Sequence, residues 1–328
     1  MKIAVVGATG LVGSVMLKVL QERGFANQEI IPAASKKSVG KEIDFAGRKL
    51  KVVSVNDAIN SNCDYAIFSA GSKVSKEYAP KFSAKNTTVI DNSSCWRMDE
   101  NVPLVVPEIN IDCVKDTDRI IANPNCSTIQ MVLALCPLDR KYDIKRLIVS
   151  TYQSVTGTGV KAVKQLDLEE NGLECEKAYY YPIYHNVLPY GGDFTDNGYT
   201  TEEMKLVNET KKIFNKPKIK VTAMVARVPV KGGHSESVNI EFNKPYNLED
   251  VRRELAQFEG IKVMDDPKNN IYPMPILSEG KDDVFVGRLR RDDTVDNGLN
   301  MWIVADNLRK GAATNAIEIM QKLIEKRK

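Results

Sequence analysis

Lys2-Ile3-Ala4-Val5-Val6-Gly7-Ala8-Thr9-Gly10-Leu11-Val12-Gly13 passes from an apolar run into a turn punctuated by glycine. Beyond it Leu11, Val12, Val15, Met16, Val19 and Leu20 recur at helical spacing as far as Gly24, so the segment reads as strand, glycine turn and amphipathic helix. The middle glycine stands one residue later than in Gly-x-Gly-x-x-Gly, but the setting suits a dinucleotide. A turn without side chains lets a pyrophosphate reach backbone N–H groups at the helix N-terminus, where the dipole favours anions. A glycine turn that merely joins strand to helix is the plainer alternative, and the context favours the cofactor. Apolar runs at Glu29 to Ala34, Tyr65 to Ala70 and Thr88 to Asp91, with a helical stretch from Val74 to Ala84, continue the alternation of a doubly wound parallel sheet.

The end of the second strand bears on which nicotinamide cofactor is used. An Asp or Glu there would accept from a ribose 2′-hydroxyl and repel a 2′-phosphate. The stretch Ala33-Ala34-Ser35-Lys36-Lys37-Ser38 has no acid, and its hydroxyls and lysines suit a 2′-phosphate, so preference for NADP over NAD is expected. An ordinary solvated turn is the alternative.

The chain has 328 residues, with the apolar and charged fractions of a soluble globular protein, and its length suits two domains. A formal charge of +3 arises from 46 basic and 43 acidic residues without a basic block, so no nucleic-acid partner is expected. Met1 to Gly7 leaves no room for a signal peptide, and no apolar run is long enough to span a bilayer. No membrane partner and a cytoplasmic location are therefore expected. The six cysteines form no Cys-x-x-Cys pair and there are two histidines, His185 and His234, so neither a metal site nor a disulfide framework is expected.

After Cys126 the pattern changes. A helix (Ile129 to Leu138), a strand (Arg146 to Tyr152) and a helix (Val160 to Glu170) lead to a tyrosine- and proline-rich stretch from Ala178 to Tyr190, then a helix from Thr200 to Phe214. Lys220 to Arg227, Ser235 to Phe242, Val284 to Arg290 and Leu299 to Ala305 read as strands, with a helix at Leu248 to Gln257, which suggests an α+β domain with a mixed or antiparallel sheet. The last helix, Leu308 to Ile324, is apolar at Ala312, Ile317, Met320 and Leu323 and suits packing against the first domain. The fold expected is thus α/β. A Rossmann-type doubly wound NADP-binding domain spans 1–126, completed by the C-terminal segment 307–328, and a catalytic and dimerisation domain spans 127–306.

Asn123-Pro124-Asn125-Cys126-Ser127-Thr128 precedes Ile129, Met131, Val132, Leu133 and Leu135, which puts Cys126 at or near the start of a helix. A thiol there feels the helix dipole, which favours thiolate and makes the sulfur nucleophilic near neutral pH. An inert core cysteine is the alternative. It fits Cys63 and Cys136, which have apolar neighbours or sit at a strand start, better than it fits Cys126. A thiolate adding to an aldehyde needs one proton partner. His234, in Arg227-Val-Pro-Val-Lys-Gly-Gly-His-Ser-Glu, lies where a glycine pair separates two strands and the ring stands near a sheet end. His185, in Tyr-Tyr-Tyr-Pro-Ile-Tyr-His-Asn, suits a packed or interface segment instead. Gln153 closes one strand ahead of another glycine turn, where a neutral amide can orient substrate without titrating.

Taken together, Gly7-Ala-Thr-Gly-Leu-Val-Gly13, Asn92-Ser-Ser-Cys-Trp-Arg-Met98, Pro124-Asn-Cys-Ser-Thr128, Tyr152-Gln-Ser-Val-Thr-Gly157, Arg227-Val-Pro-Val and Gly233-His-Ser-Glu236 resemble the aspartate-semialdehyde dehydrogenase family over nearly the whole chain, in order. The resemblance implies reversible conversion of L-aspartate 4-semialdehyde, phosphate and NADP⁺ into 4-aspartyl phosphate and NADPH, a step feeding lysine, threonine and methionine synthesis. It makes Cys126 the thioester nucleophile, His234 the acid/base and Gln153 the group that positions substrate. Arg227 would hold the substrate α-carboxylate, Arg97 and Lys205 the phosphate, and Glu202 the substrate ammonium, with Glu203 as the alternative to Glu202 and a surface ion pair as the plain reading of Glu202 with Lys205. For the cofactor it points to Thr9, Gly10, Leu11, Val12, Ser35, Lys36, Gly157 and Asn315, beside the Gly7 and Gly13 of the turn. It also implies a homodimer built on the catalytic domain, for which the aromatic Ala178 to Tyr190 segment is a further candidate. Cys95 departs from the family's small inert residue, and as a second thiol near the proposed phosphate site it is an oxidation candidate.

Two other readings compete. N-acetyl-gamma-glutamyl-phosphate reductase uses the same thioester logic on a longer acylated substrate and needs no counter-charge for a free amine. A non-catalytic NADP-binding regulator would keep the fold and lose the chemistry, which intact Cys126, Gln153, Arg227 and His234 argue against.

Overall fold

A computed structural model describes residues 1–326. Residues 327 and 328 of the expected C-terminal segment 307–328 lie outside the described residues. The chain divides into two compact units, Met1–Asn125 with the stretch from Ala312 onward, and Cys126–Gly311.

The first unit is built on a six-stranded sheet in the order Val53–Ser54, Glu29–Ala34, Lys2–Val6, Tyr65–Phe68, Thr88–Asp91, Ile120–Ala122, with every pairing parallel. Successive side chains of a strand point to opposite faces, and here both faces are covered. Ile3 and Val5 join one apolar cluster with Met16, Leu20 and Ile67, while Ala4 and Val6 join another with Phe68, Phe82 and Val89. Burial of each such large side chain contributes on the order of 1.5–3 kcal/mol. Ile317, Ile319, Met320 and Leu323 of the C-terminal helix Asn315–Lys326 belong to the first cluster. The sequence reading does not identify the hairpin Glu42–Phe45 with Arg48–Lys51, whose turn is made by Ala46 and Gly47 at φ of 48° and 75°.

The second unit holds a six-stranded mixed sheet ordered Lys220–Arg227, Ile144–Gln153, His234–Phe242, Gly298–Ala305, Val284–Asp292, Ile261–Val263. The first two strands run parallel, as do the last two, and the central pairings are antiparallel. Helices Cys126–Tyr142, Thr201–Ile213 and Leu248–Gln257 pack on it. The register puts Thr151 opposite Glu236 and Arg227 beside Gln153, and all four are buried. Met224 and Tyr152 stay exposed.

The single C-terminal helix expected from Leu308 is broken. A widened helical turn, Arg309–Thr314, precedes the α-helix because Asp306 intervenes. Its carboxylate accepts the Leu308 and Arg309 N–H groups at 2.8 and 3.2 Å and its carbonyl accepts from Gly311 at 3.1 Å, which closes a turn one residue wider than an α-turn. Among the described residues, no helix is long and apolar enough to cross a membrane and no cluster of His, Cys, Asp and Glu is fit to hold a metal ion.

Candidate active site

Topology brings the second unit's chemical groups to one end of its sheet. Gln153 and Arg227 are the last residues of two parallel strands, and His234 is the first residue of the antiparallel strand beside them. Cys126 is the first residue of helix Cys126–Tyr142 and is partly exposed, unlike Cys136 in the same helix. The next residue ties that helix start to the sheet, since the Gln153 amide nitrogen donates to Ser127 Oγ at 2.8 Å. One turn on, Gln130 Nε2 donates to the His234 carbonyl at 3.3 Å. Gln153 Oε1 is buried without a hydrogen-bond partner among the described residues.

His234 is fully buried. Its Nδ1 accepts the Ser154 backbone N–H at 3.0 Å, while Ser154 Oγ donates to Asn307 Oδ1 at 3.1 Å. Burial first, and then the Arg227 charge, push the imidazole pKa down to about 3, against a smaller opposing pull from Glu202. The ring is therefore neutral at physiological pH. Arg227 is anchored by donation from Nη1 to the Ser154 carbonyl at 3.2 Å. A Cβ on Gly157 would stand 2.7 Å from Arg227 Nη1 and 2.9 Å from His234 Nε2, so glycine there leaves room for both. A Cβ on Gly311 would stand 3.1 Å from the Cys126 Cβ, a contact of two residues remote in sequence that no local pattern announces.

Glu202 and Glu203, interchangeable in sequence, are separated by their partners. Glu203 is consumed by structure: its carboxylate accepts the Thr200 N–H at 2.6 Å, completing a capping box for helix Thr201–Ile213, and the Val225 N–H at 2.9 Å. Glu202 pairs with Lys205 at 2.6 Å, and its charge is felt by His234. Glu236, which the sequence reading left without a role, is fully buried, and neither carboxyl oxygen has a well-formed hydrogen bond among the described residues. Burial pushes its pKa well up, and the nearby Ser127 and Gln130 side chains only partly offset this. His185 is exposed at φ 53° with its ring against Tyr184, outside this cluster.

The first unit carries the rest. Gly7 has φ 91°, and a Cβ on it would fall 2.3 Å from the Ser69 carbonyl oxygen. A Cβ on Gly13 would fall 2.1 Å from the Gly7 oxygen. Both glycines are obligatory for the close approach of turn and helix. Gly10 caps the helix beginning Leu11-Val12-Gly13 with no side-chain hydrogen bond to its first N–H groups, and Thr9, Ser35 and Lys36 are exposed. Arg97 is buried and held by donation to the carbonyls of Asn123 and Asn92, each at 2.9 Å. Asn315 is fully buried and donates to Val105 O at 3.0 Å and Asn123 Oδ1 at 2.7 Å. The thiol of Cys95 is pushed up by burial and by Asp91, which lowers its thiolate fraction and weakens the case for an oxidation liability. Cys63 is a core residue with its pKa pushed up to about 11.

Comparison with known proteins agrees over the whole length. Residues 2–117 match the family model for the semialdehyde dehydrogenase NAD-binding domain, and residues 135–310 the model for the semialdehyde dehydrogenase dimerisation domain. The chain is 50% identical to aspartate-semialdehyde dehydrogenase of Aquifex aeolicus, over 99% of this chain and 98% of that protein. It is 45% identical to the Bacillus subtilis enzyme of the same name, over 98% and 96%. The crystal structure of aspartate semialdehyde dehydrogenase II complexed with ASA from Vibrio cholerae superposes with a TM-score of 0.95 at 43% identity, covering 99% of this chain and 98% of that one. The Candida albicans enzyme crystallised with NADP gives 0.76 at 26% identity, covering 97% of each.

Proposed function

The chain belongs to the aspartate-semialdehyde dehydrogenase family, and we propose that it reduces L-4-aspartyl phosphate to L-aspartate 4-semialdehyde through a thioester on Cys126, a step of lysine, threonine and methionine biosynthesis. The observation that carries this reading is the meeting of Gln153, Arg227 and His234 at one sheet end, with the start of the Cys126 helix bound to Gln153 through Ser127. In the reductive direction the Cys126 thiolate displaces phosphate from the acyl carbon. Arg227 offers a planar fork to the α-carboxylate, and Glu202 a counter-charge to the α-ammonium. Arg97 and Lys205 are the cations for the phosphate, and Gln153 orients the acyl group through its uncommitted oxygen. His234 serves as acid/base at the carbonyl oxygen.

The nicotinamide nucleotide supplies the hydride that reduces the thioester. The first unit fits such a group, because its turn excludes side chains at Gly7 and Gly13 and presents uncapped helix N–H groups. NADP is the form proposed, with Ser35 and Lys36 meeting the 2′-phosphate and Thr9, Gly10, Leu11, Val12, Gly157 and Asn315 completing the nucleotide's contacts. A homodimer through the second unit is supported by the dimerisation-domain match and by the exposed Met224 and Tyr152. A cytoplasmic location accords with the biosynthetic role.

The free amine separates this reading from N-acetyl-gamma-glutamyl-phosphate reductase, since Glu203 is committed to the Thr200 and Val225 N–H groups while the charge of Glu202 reaches His234. Assay of aspartate semialdehyde and N-acetyl-glutamate semialdehyde, each with phosphate and either NADP⁺ or NAD⁺, tests the whole proposal. Turnover of the first substrate with a higher kcat/KM for NADP⁺ is expected. Preference for the acetylated substrate would sink the substrate assignment, and equal use of NAD⁺ the cofactor assignment.

A further inference from the structure

We propose that Asp306 is a positioning residue for the nucleophile: its buried carboxylate ties the turn that lies against Cys126 to the loop that lies against Gly233, and so fixes where the thiol stands. The inference rests on the thioester reading above and adds to it a residue outside the reacting groups.

Asp306 follows the last residue of strand Gly298–Ala305, whose Ala305 pairs with His234, so the chain leaves the sheet beside the reacting groups. Its side chain is buried. Oδ1 accepts the Leu308 and Arg309 N–H groups at 2.8 and 3.2 Å, and Oδ2 accepts the Gly280 N–H at 2.8 Å. A further bond joins the same two segments, because Arg309 Nε donates to Asp282 Oδ1 at 2.8 Å. On one side of this tie the Asp306 carbonyl accepts the Gly311 N–H at 3.1 Å, and Gly311 lies on Cys126. A Cβ on Gly311 would stand 3.1 Å from Cys126 Cβ and 3.4 Å from its Cα, so the turn is a wall against which the cysteine is set. On the other side, the short helix Pro275–Ser278 just before Gly280 lies on Gly233. A Cβ there would fall 2.5 Å from Ser278 Oγ and 3.1 Å from Pro275 Cα. Gly233, at φ 73°, leads directly into strand His234–Phe242.

A carboxylate offers acceptors on both oxygens, which neither an amide nor a hydroxyl does, and three backbone donors converge here on one side chain. Cys126 is the first residue of its helix, and the support that a helix start gives to a thiolate falls off within a turn. Attack on an acyl carbon also needs the sulfur within about 3–3.5 Å and in line. Both demands confine the thiol to one place, which Gly311 bounds on one side. Asp306 acts on it through the main chain of Gly311. Asparagine at 306 keeps the shape but has a single acceptor oxygen, so its NH₂ must face either Gly280 or the Leu308 and Arg309 pair, donor against donor. One leg of the tie is then lost.

Asp306→Asn in the full-length protein is expected to lower kcat for the semialdehyde with phosphate and NADP⁺ by about 30-fold or more, with KM values within about threefold of wild type. The pH midpoint for iodoacetamide alkylation of Cys126, followed by mass spectrometry of its peptide, is expected to rise by about one unit. Gly311→Ala presses on Cys126 from the same turn and is expected to move both readouts the same way. Asp139 lies near the far end of the same helix, where its Oδ1 accepts the Ile144 N–H at 2.9 Å and pairs with Lys216 at 2.8 Å. Asp139→Asn is expected to lower the melting temperature while kcat and the midpoint keep their wild-type values. Asp306→Asn with either value unchanged, or the same two changes in Asp139→Asn, overturns the proposal. Should Asp306→Asn not fold, wild-type values in Gly311→Ala overturn it. Failure of the wild-type protein to turn over the semialdehyde would instead remove the function reading, and the alkylation midpoints would still decide whether Asp306 sets the thiol.

Discussion

Gly157 shows how a residue without a side chain constrains a site. Any Cβ there meets Arg227 Nη1 at 2.7 Å and His234 Nε2 at 2.9 Å, and the least costly relief is to push those two groups aside. Gly157→Ala is therefore expected to lower kcat/KM by roughly 100-fold while the melting temperature moves by only a few degrees. Loss of stability without loss of activity would contradict the argument. Glu236 makes a prediction of opposite kind. A carboxyl whose folded pKa lies above its unfolded value favours the fold at low pH and opposes it as pH rises past the ordinary carboxylate range. Glu236→Gln keeps the shape of the carboxyl without its charge, so it is expected to raise the melting temperature more at pH 8 than at pH 4. Thermal scans at the two pH values check the sign. The sequence singled out Cys126, Gln153, Arg227 and His234 by motif, but it could not single out Glu236. A glutamate in a strand reads as solvent-facing until the register shows which face it occupies.

At the scale of elements, the long periodic segments were legible and the short ones were not. Helices Val160–Glu170 and Leu248–Gln257 and strand Lys220–Arg227 carry their own pattern, and their bounds agree with the reading residue for residue. Strands Val53–Ser54, Ile120–Ala122 and Ile261–Val263 are too short for a period and exist because a neighbouring strand offers hydrogen bonds. Helix Thr201–Ile213 shows capping with a tertiary purpose. Its Glu203 satisfies the Thr200 N–H and also the Val225 N–H of the adjacent strand, so it joins helix to sheet. Glu203→Ala leaves two buried donors unpaired and is expected to destabilise by about 2–4 kcal/mol in urea denaturation. Glu202→Ala, which leaves both donors satisfied, is expected to raise KM for the semialdehyde with a much smaller change in stability. Equal destabilisation by the two changes would refute this division of labour.

For the whole molecule, an open sheet face is the feature that association would explain. Met224 is 61% exposed and Tyr152 39% exposed on the second unit's sheet. If copies of the chain meet there, Met224→Glu places like charges opposite one another at the contact. The variant is then expected to shift towards monomer in light scattering at micromolar concentration, and an unchanged mass would move the interface elsewhere. The sequence by itself determined the nucleotide-binding architecture and the place of Cys126 at a helix start. A glycine turn between strand and helix, and a cysteine between polar flanks and an apolar helix, are local patterns whose chemistry needs few distant partners. Only the tertiary structure decided the rest: the mixed order of the second sheet, the backbone partners of Glu203, the Ser127 to Gln153 link, and the contact of Ser154 with His234. Each depends on hydrogen bonds between residues remote along the chain. A hydrogen bond acts over about 3 Å, and the spacing of residues along a chain says nothing of which remote groups come within that distance.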